Sequence, residues 1–240
     1  MGISGQPADR APTTAPKTLA LFQRALAQLR AQGAVLVDVD DYSLAPLRKN
    51  EFFVLHTELK ADLNAYLAGS PPAVTSRTLA DLIAFDDAHA QEEMHWFGQS
   101  QFLLAERTKG LDDPAYISAR ATNLRLAGPE GIDRLLAEHH VEALISPTQD
   151  PAHMIDLING DPRGGGSDTT LPAVVGYPHI TVPMGQVQGL PVGLSFIGPK
   201  WSEGRLLELA YAYEQKAQAF RPPTFAPDAL HWHPGALCGK

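Results

Sequence analysis

The 240 residues carry 19 lysines and arginines against 27 aspartates and glutamates, a net charge of −8 with histidines neutral, which argues against holding nucleic acid by phosphate neutralisation. Hydrophobic residues make up 44% and charged residues 19%, ample material for a buried core, so wholesale disorder is excluded. The single cysteine, Cys238, excludes an internal disulfide and a cysteine-based structural zinc site and points to a reducing, cytoplasmic setting.

Residues 1–16 lack hydrophobic periodicity and are expected to form a loose N-terminal tail without the apolar centre of a signal peptide. From Thr18 the pattern changes. Leu19, Phe22, Leu26 and Leu29 recur at helical spacing, Gly33 supplies a stop, and Ala34 to Val39 reads as a buried strand. Phe52, Leu55, Leu59, Leu63 and Leu67 mark a second helix closed by Gly69 and the Pro71-Pro72 pair. Thr78 with Asp81 three residues on predicts a capped short helix, and a further helix is expected from about Gln91 to Lys109. Asp113-Pro114 and Gly128-Pro129 mark two more helix starts.

Glu142 to Ser146 reads as a short strand, followed by a loop from Pro147 to Thr170 rich in Gly, Asp and Pro, a length at which loops tend to be functional. Ile180 to Pro183 and Val192 to Ile197 are two further strands joined through a Gly189-Leu190-Pro191 turn. Apolar residues on consecutive positions suit strands covered on both faces. Ser202 is placed to cap a last helix carrying Leu206, Leu209, Ala210, Tyr213 and Ala217, and residues 222–240 form a proline-rich extended tail. No apolar run approaches the ~18 residues of a membrane span.

Several constellations read as structural. The run Gly164 to Thr170 is glycine-rich but lacks the lysine of a phosphate loop, and Ser167 within it has no nucleophile-elbow motif around it. His89, Glu92, Glu93 and His95 do not form a His-Glu-x-x-His pattern and read as solvated helix faces, so no metal and no cofactor are assigned.

The stretch from Leu171 to Gly185 (Leu-Pro-Ala-Val-Val-Gly-Tyr-Pro-His-Ile-Thr-Val-Pro-Met-Gly) and that from Gly189 to Pro199 resemble the C-terminal part of the amidase signature family. So do Trp201-Ser202-Glu203 and Ala210 to Glu214, and upstream Gln32 to Val39, Thr78 to Ile83, Ala143 to Thr148 and Asp156 to Asp161. The resemblance covers about Lys17 to Arg221, and within the family it is most like the peptide amidase and amidase branch. It implies an α/β fold, the C-terminal part of a mixed sheet flanked by helices, occupying residues 17–221. It also implies hydrolysis of carboxamide C–N bonds by a lysine, a serine in a cis peptide bond and a second, nucleophilic serine, in Gly-Gly-Ser-Ser-Gly-Gly and Gly-Ser-x-Thr-Gly-Gly-Ser-Ile-Arg stretches. Neither stretch is in this sequence, so no catalytic residue is carried over.

The expectation is therefore a C-terminal amidase segment that is inactive alone, with Thr148, Gln149, Asp150 and Asp156 as substrate-pocket candidates. Its expected partners are an N-terminal amidase half or a second copy, with a small amide as substrate only in a complete enzyme, and neither nucleic acid nor membrane. The alternative is a non-catalytic interaction or complementation module derived from an amidase.

Overall fold

The computed structural model describes residues 2–4, 15–39, 44–154, 156, 158 and 169–223. Its sheet begins with β1 (Gly2–Ser4), which lies between β2 (Val37–Val39) and β3 (Leu144–Pro147) and runs parallel to both. These three residues, expected in a tail, are thus internal to the sheet. Three residues are too few to display a hydrophobic period, and their pairing partners lie more than 30 and 130 positions away in the chain.

Between β1 and β2 runs α1 (Pro16–Ala31), whose Leu21, Phe22, Ala25, Leu26 and Leu29 fall on one face and are buried. Pro16 suits the first turn, where an N–H has no helical partner. At the other end Gly33 takes φ 90°, which lets its N–H reach the Arg30 carbonyl (2.9 Å) and the Ala34 N–H reach that of Leu29 (3.1 Å).

A helical layer follows. In α2 (Ala45–Ala68) one side packs on α5 (Ser100–Glu106) and α6 (Pro114–Ala127). The Tyr116 hydroxyl donates to Glu58 (2.7 Å), and the Lys60 ammonium donates to the Glu106 carbonyl (2.7 Å) while pairing with its carboxylate (3.0 Å). Arg77 donates to the carbonyls of Leu67 (3.1 Å) and Ser70 (2.6 Å), satisfying acceptors released where α2 ends. The capping box appears as expected at α3 (Leu79–Ala88): the Asp81 N–H donates to Thr78 Oγ1, and Asp81 accepts from the Thr78 N–H.

The helix expected over Gln91 to Lys109 is instead broken into α4 (Ala90–Glu93) and α5, with Met94 to Gln99 as a turn between them. Gln99 holds that turn against α3, donating to the Ile83 carbonyl (3.2 Å) and the Asp87 carboxylate (2.7 Å). Gly128-Pro129 does not start a separate helix either. The chain continues from α6 through a π-helical turn (Gly128–Ile132) into α7 (Asp133–Glu138), because the wider turn tolerates a residue without an N–H.

After β3 the chain returns through α8 (Thr170–Val175) to a hairpin of β4 (His179–Val187) and β5 (Leu190–Ile197). The two-residue turn is Gln188-Gly189, one position earlier than expected, with φ values of 53° and 84° that match the strand twist. The sheet order is β2-β1-β3-β5-β4, parallel through β3 and antiparallel beyond.

Finally α9 (Glu203–Ala217) covers the sheet beside α1. Ser202 precedes it without capping it: the Ser202 hydroxyl donates backwards to the Pro199 carbonyl (2.7 Å).

Two cores result. On one sheet face Ile145, Val182, Met184, Val192, Leu194 and Phe196 pack against α1 and α9. On the other, Leu144 and Ile197 pack against Leu47, Ala127, Ile132, Leu135 and Leu171.

Candidate functional site

The second sheet face changes character along its strands. Register places Leu144, Ser146 and Thr148 on it from the β3 side, Ile197, Ser195 and Gly193 from β5, and His179, Thr181 and Pro183 from β4. One end is apolar and belongs to the second core. The next rung, Ser146–Ser195–Thr181, is polar on all three strands, so the expectation of strands apolar on both faces holds for one face only.

The polar side chains are joined. His179 Nε2 lies 2.7 Å from Ser195 Oγ, Ser195 Oγ donates to Thr148 Oγ1 (2.9 Å), and Thr148 Oγ1 lies 2.6 Å from Thr181 Oγ1. Thr148 and Thr181 stand on opposite sides of β5, yet their hydroxyls touch. Strands two apart are separated by roughly 9–10 Å, so both side chains must lean over the strand between them. Gly193 makes that possible. A Cβ there would collide with Thr181 Oγ1 and lie 2.7 Å from Thr148 Oγ1.

Burial falls along this strip. Ser195 and Ser146 are 0% and 1% exposed, His179 and Thr148 are half-buried, and Thr181 is exposed. The Ser146 hydroxyl is buried with no hydrogen-bond partner among the described residues.

A serine beside a histidine invites comparison with a nucleophile and its base. The arrangement here does not serve that chemistry: Ser195 has no solvent access, and its one proton goes to Thr148 rather than to the ring.

Of the four pocket candidates, Thr148 sits in the middle of the strip. Gln149 is exposed beside it. Asp150 turns the other way, and both its carboxylate oxygens accept from the Ala15 N–H at 3.0 Å, the residue that opens α1. The carboxylate thereby satisfies a backbone donor at a helix start that has no cap of its own, where negative charge is favoured. Asp156 is half-buried and accepts from the Ile158 N–H (2.9 Å), a local turn contact. Ser167 and residues 159–168 lie outside the described residues.

Sequence reasoning missed His179, Thr181, Gly193 and Ser195 as parts of a site. The signal was there as a period of two, since His179 and Thr181 alternate with Ile180 and Val182, and Gly193 and Ser195 with Val192, Leu194 and Phe196. What it could not show is that β3 lies next to β5 and brings Thr148 to them.

Electrostatics adds one anchored contact near the second core. The Tyr177 hydroxyl, just past α8, donates to the Asp133 carboxylate of α7 (2.7 Å). Burial first, then that hydrogen bond, pushes its pKa up to about 12.

A family model described as Amidase matches residues 5–207, and with the amidase-type sheet and helices around it this chain belongs to the amidase signature family. Among relatives, an Arabidopsis thaliana protein named probable amidase is 29% identical over 216 residues, covering 87% of this chain and 38% of its own. The native peptide amidase of Stenotrophomonas maltophilia superimposes with a TM-score of 0.81 at 42% identity, covering 94% of this chain and 44% of that one. A peptide amidase in complex with the competitive inhibitor chymostatin gives 0.84 at 43% identity over 93% and 44%. The chain thus spans less than half the length of these relatives. No helix among the described residues is long and apolar enough to cross a membrane.

Proposed function

We propose that this chain is the C-terminal portion of an amide hydrolase acting on peptide-type carboxamides, with the bond-breaking groups on another stretch of polypeptide. The observation that carries the reading is one-sided coverage. More than nine-tenths of this chain overlays peptide amidases at 42–43% identity, while more than half of each of those chains has no counterpart here. The sequence also lacks the two glycine-serine stretches in which the family keeps its serines.

In this reading the chain contributes the sheet, two cores and one wall of the substrate cleft. The segment after β3, with Thr148, Gln149, Asp150 and Asp156, forms that wall, and Asp150 holds it to α1. Covalent catalysis of amide hydrolysis needs an activated nucleophile, its base and donors for the oxyanion. The best-placed hydroxyl described here, Ser195, is buried and committed to Thr148. The setting is cytoplasmic, a placement supported by the single cysteine.

A panel of peptide amides and simple carboxamides tests this. The isolated chain is expected to show no turnover above background, and turnover is expected on adding the catalytic segment of a peptide amidase. Hydrolysis by the chain alone, abolished by Ser167→Ala or Ser195→Ala, would overturn it. Stable binding of an unrelated protein with no activity in any combination would instead favour a repurposed interaction module.

A further inference from the structure

The hydroxyl strip has a direction, and it ends in the open. Each hydroxyl carries one proton. Ser195 gives its proton to Thr148, so the only way Ser195 Oγ and His179 Nε2 can bond at 2.7 Å is with the ring N–H as donor. Thr148 then accepts from Ser195, and its Oγ1 lies 2.6 Å from Thr181 Oγ1, a pair in which either hydroxyl can donate. The order runs from His179 to Ser195 to Thr148 to Thr181. With Thr148 as donor to Thr181, each bond polarises the next and the Thr181 proton is free for an acceptor outside the strip.

Three observations say that this terminal donor is built for a contact outside the described residues. The strip is half-buried at His179, fully buried at Ser195 and exposed at Thr181. It exists only because Gly193 omits the Cβ that would separate the two threonines. On the same face, across β5, Ser146 keeps a buried hydroxyl without a partner among the described residues, a condition that costs free energy unless something completes it.

We propose that Thr181 is a docking donor that binds a main-chain carbonyl of the catalytic amidase segment where that segment covers this face. The proposal rests on the C-terminal-portion reading above. No lysine or arginine bonds to the strip among the described residues, so it suits a carbonyl oxygen rather than an anion. The size of the occupant follows from the 56% of the peptide amidase chains left outside the match (100% minus the 44% covered).

The test is capture. The tagged chain is co-expressed with the part of the Stenotrophomonas maltophilia peptide amidase lying outside the matched region, and the retained segment is quantified for wild type, Thr181→Val and Thr181→Ser. Wild type and Thr181→Ser are expected to retain it, and Thr181→Val at least tenfold less, with all three chains giving the same circular dichroism alone. If Thr181→Val changes the isolated fold, Thr181→Ala decides by the same ratio. Equal capture by wild type and the hydroxyl-free variant overturns the docking role and leaves the amidase reading standing. No capture by wild type overturns both.

Discussion

Gly193 shows how much one missing methyl group can decide. Gly193→Ala puts a Cβ against Thr181 Oγ1 and 2.7 Å from Thr148 Oγ1, on strands that cannot move apart without breaking the ladder. The expected cost is about 1–3 kcal/mol in urea unfolding, and Thr148→Ser, which keeps the hydroxyl, is expected to cost less. Two tyrosines separate burial from hydrogen bonding. Tyr213 is buried against Phe196 with no partner for its hydroxyl among the described residues, and burial pushes its pKa up to about 12. Tyr177 reaches about 12 with the help of Asp133. An unfolded phenol loses its proton near pH 10 while the folded state holds it longer. The stabilisation is therefore fully present below about pH 10 and lost as pH rises from about 10 to about 12. Tyr213→Phe is expected to make that alkaline decline shallower and, by removing a buried hydroxyl with no partner among the described residues, to keep or raise stability at pH 7. Tyr177→Phe loses the bond to Asp133 and costs about 1–2 kcal/mol at pH 7; pH-dependent chemical denaturation of the two variants reads both outcomes.

Among the elements, α1 depends on a residue 135 positions away. It starts at Pro16 with no side-chain cap of its own, and the Asp150 carboxylate accepts the Ala15 N–H from the segment after β3. Asp150→Ala is expected to lower stability by about 0.5–2 kcal/mol and to speed hydrogen exchange in the first turn of α1 more than in α9. Equal exchange in both helices would remove the capping role. The capping box at α3 is the local counterpart. Thr78 and Asp81 announce it within four residues, whereas nothing near Pro16 announces Asp150. The broken helix before α5 follows the same logic in reverse: the sequence predicts a helix through Met94 to Gln99, but Gln99 donates to the Ile83 carbonyl and the Asp87 carboxylate of α3, contacts made only after folding.

At the scale of the molecule, the helical layer leaves large apolar side chains in water. Phe52, Leu55 and Tyr66 lie along α2, Ile117 is on the adjoining α6, and all four are more than half exposed. Apolar surface of this extent recruits a partner or aggregates. The isolated chain is therefore expected to self-associate in light scattering as concentration rises and to bind a hydrophobic dye. A monodisperse monomer with little dye binding would mean that the fold closes over this face by itself. Co-expression with the catalytic segment of a peptide amidase is expected to reduce both signals.

What the amino-acid order determined by itself was whatever short-range chemistry controls: the apolar period of α1, the Thr78–Asp81 box, the Asp113-Pro114 start, the β4–β5 hairpin, and the family, through long ordered runs such as Leu171 to Gly185. Tertiary structure alone decided which distant segments became neighbours. Gly2–Ser4 became an internal strand because β2 and β3 supply ladder partners on either side, and Asp150 became the cap of a helix 135 residues away. Thr148 joined His179, Thr181 and Ser195 because β3 pairs with β5. Hydrogen bonds between strands depend on register in space, and register between segments tens of residues apart leaves no local periodicity to read.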